Sequence, residues 1–267
     1  MQSTQPPVVL IFGAFDPSGS SSLPADAVTC ASLGCHPLGT LTAIQVRDSA
    51  NLESILPVGP ETIDDQARCV LEDMNVQAIK VGALYTAEAV SVLAQIAADY
   101  NHVPLLLQLA PYPDESALED IDTEDVQMAM LELLLPQTDV VVIDHLLLEQ
   151  WQSQGIFAGS DAQTPAQAML EFGAGWLLTT GASLRPGQRG YMLQGSRGET
   201  MSWPLQPPPE RLADADGPLA CAVTAELANG KPVPQAVEAA IAVAAPLAAR
   251  YFQPGMGLRL INRSAAS

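Results

Sequence analysis

Two stretches of this chain combine residue types and spacings that have chemical use. The first is GAFDPSGSSSLPAD, residues 13–26, a Gly, Ser and Pro loop between an apolar run and a helical pattern. A loop at the carboxyl end of a strand is placed to hold a ligand. Asp16 would bend or cap it, and Ser20, Ser21 and Ser22 would offer hydroxyls and amides to a polar group. The same residues also make a solvated loop of Asx and Ser turns, and neither a GxGxxG nor a P-loop spacing is present. The second stretch is ADADGPLACAVTAELANG, residues 213–230, which reads as a helix start. Asp216 or Gly217 can cap it, and Pro218 suits the first helical position because its missing N–H would be unpaired there anyway. Helix starts hold anions through free N–H groups, and Cys221, one turn in, would have its thiol pKa lowered by the helix dipole if exposed. The alternative is an ordinary helix with a buried cysteine.

Such residues need elements to position them. Apolar, β-rich runs at 8–15, 39–46, 78–84, 103–110, 139–144 and 175–181 read as strands, apolar on both faces as a helix-covered parallel sheet requires. Helical patterns fall between them at 23–34, 61–73, 86–99, 122–135 and 164–172. After Gly181 the runs 189–195 and 200–205 flank SRGE and read as a hairpin. Two helices, 218–229 and 233–252, then follow, split by NGKP. The pattern predicts one α/β domain over residues 1–267, an open sandwich rather than the competing barrel, because a hairpin and two helices close it.

Hydrophobic residues are 48% of the 267 and charged ones 15%, enough apolar surface to offset the entropy of ordering. A formal charge of -19 argues against nucleic acid and anionic membranes as partners, and a polyphosphate would need local positive help or a metal. Cys30, Cys35, Cys69 and Cys221 form no CxxC pair and His36, His102 and His145 are scattered, so spacing indicates no zinc site. VVLIF is too short for a signal core and no apolar stretch approaches a membrane span, which makes a reducing cytoplasm the expectation.

FDPSGSSSLPAD, TAIQVRDSANL (42–52), IKVGAL (79–84) and CAVTAELANG (221–230), with the closing GMG (255–257), resemble the hydroxymethylpyrimidine and phosphomethylpyrimidine kinases of thiamine biosynthesis. The likeness runs over roughly residues 8–257. It implies a ribokinase-like three-layer α/β/α sandwich with a mostly parallel sheet, and ATP-dependent phosphorylation of hydroxymethylpyrimidine or its phosphate with Mg²⁺. A homodimer is common in that family. Carried over residue by residue, Asp16, Gly19, Asp26, Arg47, Lys80 and Gly82 fall on the pyrimidine side. Glu149, Thr180 and Gly181 fall on the nucleotide side, Glu149 toward the metal, and Cys221 on the cysteine that stands where other superfamily members carry a catalytic aspartate.

The departures are uneven. The family's Gly-Ala-Gly becomes Ser20, Ser21 and Ser22, its pyrimidine-contacting glutamine becomes Arg47, and its ring-packing methionine becomes Ala83. Arginine only donates and always carries charge, so the resemblance implies a reshaped and more cationic pocket. On the nucleotide side the GTGC glycines become Pro218, Leu219 and Ala220, the acid of LDPV is lost near Gln108, Leu109 and Ala110, and the lysine of KGG is Thr180. Asp214 and Asp216 add negative charge that should discourage a γ-phosphate. Two readings follow: a divergent phosphotransferase, or a catalytically impaired paralogue that binds a small pyrimidine-like or anionic ligand.

Overall fold

A computed structural model describes residues 5–119, 121–157, 160, 162–205 and 211–263. Its core is a nine-stranded sheet of β1 (Val8–Phe15), β2 (His36–Arg47), β3 (Leu52–Pro57), β4 (Ala78–Val81), β5 (Leu105–Gln108), β6 (Val140–Asp144), β7 (Trp176–Arg185), β8 (Gln188–Gly195) and β9 (Thr200–Pro204). The spatial order is β3-β2-β1-β4-β5-β6-β7-β8-β9. Strands β2, β1, β4, β5, β6 and β7 are parallel, while β3 and the β8–β9 hairpin are antiparallel additions at the two edges. The sheet is therefore open, as the closing hairpin suggested, and not a barrel.

The parallel strands are apolar on both faces because both faces are covered. On one, α2 (Pro60–Asp73), α3 (Ala87–Asp99), α4 (Thr123–Ala129), α5 (His145–Ser153) and α6 (Pro165–Glu171) bury Leu10, Phe12, Ile79, Leu107, Val141, Ile143 and Leu177. On the other, α1 (Ser22–Ser32), α7 (Gly217–Ala228) and α8 (Val233–Ala248) bury Val9, Ile11, Leu106, Val140, Val142 and Leu178. Every residue of α7 except Glu226 is buried, and its small side chains let it lie close across β1, β4 and β5. No helix among the described residues is long and apolar enough to cross a membrane.

Several boundaries differ from the sequence reading. The last helix stops at Ala248 rather than 252, with Pro246 in its final turn, and Tyr251–Phe252 (β10) instead pairs with Leu260–Ile261 (β11). The 122–135 pattern is α-helical only to Ala129, then widens over Met130–Leu134 and tightens over Leu135–Gln137, where Pro136 intervenes. Besides the β10–β11 pair, β3 and α5 were missed. The edge strand β3 buries only Ile55, too little to show as a pattern, and Asp48 turns the chain into it by accepting from Ala50 N at 2.6 Å and Asn51 N at 2.8 Å. Helix α5 follows β6 with no break, and Asp144 caps it by accepting from Leu146 N at 2.8 Å.

Chain direction reverses beside β1: it leaves β1 for β2 and β3 on one side and returns to β4 on the other. Loops after β1 and β4 consequently diverge at the carboxyl edge, and such a parting leaves a crevice for ligands.

Candidate functional site

A cavity of about 490 Å³ occupies that crevice. Its walls come from the loop after β1 (Ser20, Ser21, Ser22), α1 (Asp26), β2 (Gln45, Arg47), β4 and its loop (Lys80, Gly82, Ala83, Tyr85), the loop after β5 (Gln108 to Pro113), β6 (Asp144) and the approach to α7 (Asp214, Asp216). A second cavity of about 310 Å³ adjoins it, the two sharing Asp144, Ala215 and Asp216. Thr180, Gly181, Arg189, Tyr191 and Leu219 line this smaller one, with the alanines of α8 opposite.

The β1 loop is built around Asp16, which is 1% exposed and accepts from Ser18 N at 2.8 Å, Ser18 Oγ at 2.6 Å, Ser20 Oγ at 2.7 Å and Ser21 N at 2.9 Å. Burial opposes its charge, but the Ser18 and Ser20 hydroxyls and the Arg47 guanidinium together hold the carboxyl below its ordinary value. Gly19 makes the turn with φ +65. Neither Asp16 nor Gly19 reaches the cavity wall; both shape the loop that does, which corrects their expected place on the ligand. Ser22, where the resembled family has glycine, keeps a left-handed backbone at φ +58 and so carries the strain that glycine would avoid.

Beneath the cavity, Lys80 Nζ donates to Asp26 Oδ2 at 2.6 Å, and Cys221 Sγ donates to Asp26 Oδ1 at 3.1 Å. Burial favours neutral Lys80, yet the Asp26 carboxylate outweighs it and holds the ammonium above its ordinary pKa. Both Asp26 oxygens are thus engaged by the protein. Cys221 is fully buried, and burial, Cys30 and Asp26 raise its thiol well above the ordinary value. Of the two sequence readings of Cys221, the buried cysteine is the one found: the condition for a dipole-lowered thiol, exposure, is not met, and the sulfur lies against a carboxylate.

Gln45 and Arg47, two apart on β2, share one face. Gln45 is 6% exposed, and its Nε2 donates to the Tyr85 hydroxyl at 3.2 Å while Oε1 has no hydrogen-bond donor. Arg47 Nε lies 3.8 Å from Asp16 Oδ1 and donates to the Asp48 carbonyl at 3.2 Å, so its charge is partly answered and the pocket is less cationic than the substitution alone implied. Tyr85 and Tyr112 meet edge to face, 6.3 Å apart, and Tyr112 donates to the Leu84 carbonyl at 3.2 Å.

At the other end, Thr180 Oγ1 donates to Asp216 at 2.9 Å. Burial pushes the Asp216 carboxyl up to about 6, against the Thr180 bond. Asp214 is pushed up to about 7 by burial and by Asp26, against Arg263 and Lys80. Its charge is not uncompensated as expected, because Arg263 Nη2 stands 3.1 Å from it. Glu149, expected at a metal, lies outside both cavities, 58% exposed and 3.2 Å from His145; Asp144 is the acid of this stretch that lines both cavities. The reason is helical phase, since α5 starts just after Asp144 and carries Glu149 round to another face.

Sequence reading missed Gln45, Tyr85, Tyr112, Asp144 and Arg263. For Gln45 a signal existed, its two-residue spacing from Arg47 on a strand; for Arg263 there was none, because only the fold brings the chain's last described residue under the β1 loop.

A family model described as phosphomethylpyrimidine kinase matches residues 16–262. A hydroxymethylpyrimidine/phosphomethylpyrimidine kinase of Streptomyces coelicolor is 29% identical over 242 residues, 88% of this chain and 86% of its own length. Its counterpart in Rhizobium meliloti is 26% identical over 255 residues, 94% of each chain. Among solved structures, an ADP complex of Bacillus subtilis pyridoxal kinase superposes with TM-score 0.81 at 21% identity, covering 97% of this chain and 98% of that one. The fold shared with such structures is the ribokinase-like α/β/α sandwich.

Proposed function

Because the chain belongs to the phosphomethylpyrimidine kinase family, we propose that its larger cavity binds a pyrimidine-like ring and that phosphoryl transfer to that ring is weak or absent. The observation that carries the binding half is Gln45 Oε1, a buried acceptor without a donor in the wall of that cavity. An unpaired buried acceptor costs about 1–3 kcal/mol, which a ring N–H or amino group would recover on binding. Tyr85 and Tyr112 supply flat apolar walls, Gly82 keeps the β4 edge low, and Arg47 offers its outer nitrogens to an electron-rich substituent. Asp26 and Lys80 hold each other's charge beneath the ring, and Cys221 supports Asp26 from below.

A nucleotide and Mg²⁺ are implied by the family, and the smaller cavity fits only one end of them. Leu205, Leu219, Tyr191 and the α8 alanines make an apolar slot for a flat base, beside Thr180, Gly181 and Arg189. The phosphate end does not fit: Pro218 has no N–H, the Leu219 side chain is in the wall, and the Asp214 carboxylate lies against Gly217. Losing one oriented donor at an anionic transition state costs roughly 10²–10³ in rate, and this helix start has lost several features at once.

Thermal unfolding with hydroxymethylpyrimidine and with ATP–Mg²⁺, each alone, tests the reading, since binding to the folded state raises its stability. A rise with the pyrimidine and none with the nucleotide is expected. A rise with ATP–Mg²⁺ together with formation of phosphorylated pyrimidine would instead establish an active phosphotransferase, the reading favoured by the family match over residues 16–262.

A further inference from the structure

The Asp214 carboxylate is held as a bound anion would be. Arg263 Nη2 donates to Oδ2 at 3.1 Å, Gln108 Nε2 donates to Oδ1 at 3.5 Å, and the Lys80 ammonium adds its field. Arg263 is itself anchored, because its Nε donates to Thr29 Oγ1 at 3.0 Å and its Nη2 to the Ser20 carbonyl at 3.4 Å. The ion pair is almost hidden, the two side chains 7% and 11% exposed. The carboxylate is packed on Gly217 so closely that a Cβ there would overlap it. Asp214 also has φ +53, a backbone that glycine and asparagine accept more readily than other residues, so its surroundings impose the conformation.

Donors suited to a phosphate, a guanidinium and an amide in the reach of an ammonium, are thus spent on the protein's own side chain. We propose that Asp214 is a specificity-determining residue, a resident anion that closes the larger cavity to phosphorylated ligands and leaves it open to uncharged ones with the same ring. This rests on the reading that the cavity takes a pyrimidine-like ring. A ligand phosphate brought to about 4 Å from the ionised carboxylate meets a repulsion that protonation of Asp214 would relieve, so at about pH 9, some two units above its value of about 7, the penalty is roughly 10² in affinity.

The test measures binding of hydroxymethylpyrimidine, its phosphate and inorganic phosphate at about pH 9, where Asp214 is ionised, by calorimetry and thermal unfolding, to the wild type, Asp214→Asn and Asp214→Gly. Both replacements tolerate a positive φ, so both variants should fold, and circular dichroism checks this. The wild type should prefer the alcohol over its phosphate by about a hundredfold or more and ignore millimolar inorganic phosphate. In the variants that ratio should fall by about a hundredfold, inorganic phosphate should raise the unfolding temperature, and adding Arg263→Gln should abolish both gains. Equal binding of alcohol and phosphate by the wild type would overturn the proposal, as would folded variants that gain nothing. If no protein binds either pyrimidine, the reading of the cavity fails, and the inorganic phosphate arm alone decides whether Asp214 stands in an anion's place. If both variants unfold, the wild-type ratio decides.

Discussion

At the β2 end of the crevice polar groups keep spare capacity, whereas at the β6 end each carboxylate is held by a protein donor. Among the described residues Gln45 Oε1 has no donor, and Arg47 meets Asp16, at 3.8 Å, and the Asp48 carbonyl. Asp214 by contrast is held by Arg263, Asp216 by Thr180, and Asp144 by the amide of Leu146. A site that takes a ligand leaves interactions for the ligand to make, and one that has turned inward makes them with itself. On the proposed reading, that difference between two ends of one crevice separates ring binding from phosphate handling. The family match extends over both ends, and beside the α7 backbone the flanking side chains answer one another.

The contrast can be broken most severely at its shared foundation. Asp26→Leu would leave the Lys80 ammonium buried without its partner and should cost about 3–5 kcal/mol, read from urea unfolding, whereas Asp26→Leu with Lys80→Met should recover most of the loss. Next comes the acid end. A carboxyl whose folded pKa is raised stabilises the fold fully below its unfolded value of 3.8, and the benefit is lost as pH rises through the folded value. For Asp216, pushed up to about 6, stability should therefore decline between about pH 4 and pH 7, by about 3 kcal/mol in all, and Asp216→Asn should flatten that slope. An unchanged slope would show that Asp216 is not held as described.

At the ring end, Gln45→Leu should weaken hydroxymethylpyrimidine binding by about tenfold, the worth of one hydrogen bond, measured by calorimetry. Its stability should move by less than about 1 kcal/mol, because removing the orphan acceptor is offset by the donor that the Tyr85 hydroxyl loses. The smallest effect is expected from Arg47→Gln, less than about 1 kcal/mol in stability for a loose pair 3.8 Å apart, with the Asp16 carboxyl rising toward its ordinary value by NMR titration.

What could be read from the chain alone was whatever local pattern controls. Runs apolar on both faces marked the parallel strands, Gly and Pro marked most helix ends, and the spaced residues of the β1 loop, β2, β4 and α7 marked the carboxyl edge of the sheet as the site. Strand β3 was illegible because it buries only Ile55, and α5 because β6 runs into it without a break. The site was legible in some of its members, Asp26, Arg47, Lys80, Gly82, Thr180 and Gly181, and illegible in its pairings. By resemblance, sequence put Asp26 and Lys80 on the pyrimidine side and Cys221 at the helix start, but only the fold brought the three together, and burial decided that the thiol is not a free nucleophile.

The composition and spacing determined a helix-covered α/β core and a helix start with one amide donor fewer, since Pro218 lacks its N–H in any fold. Only the tertiary structure decided which charges meet. Arg263 and Asp214 are 49 residues apart, Lys80 and Asp26 are 54, and Cys221 and Asp26 are 195. Charge strength depends on desolvation and on partners a few ångströms away, and a linear spacing encodes neither.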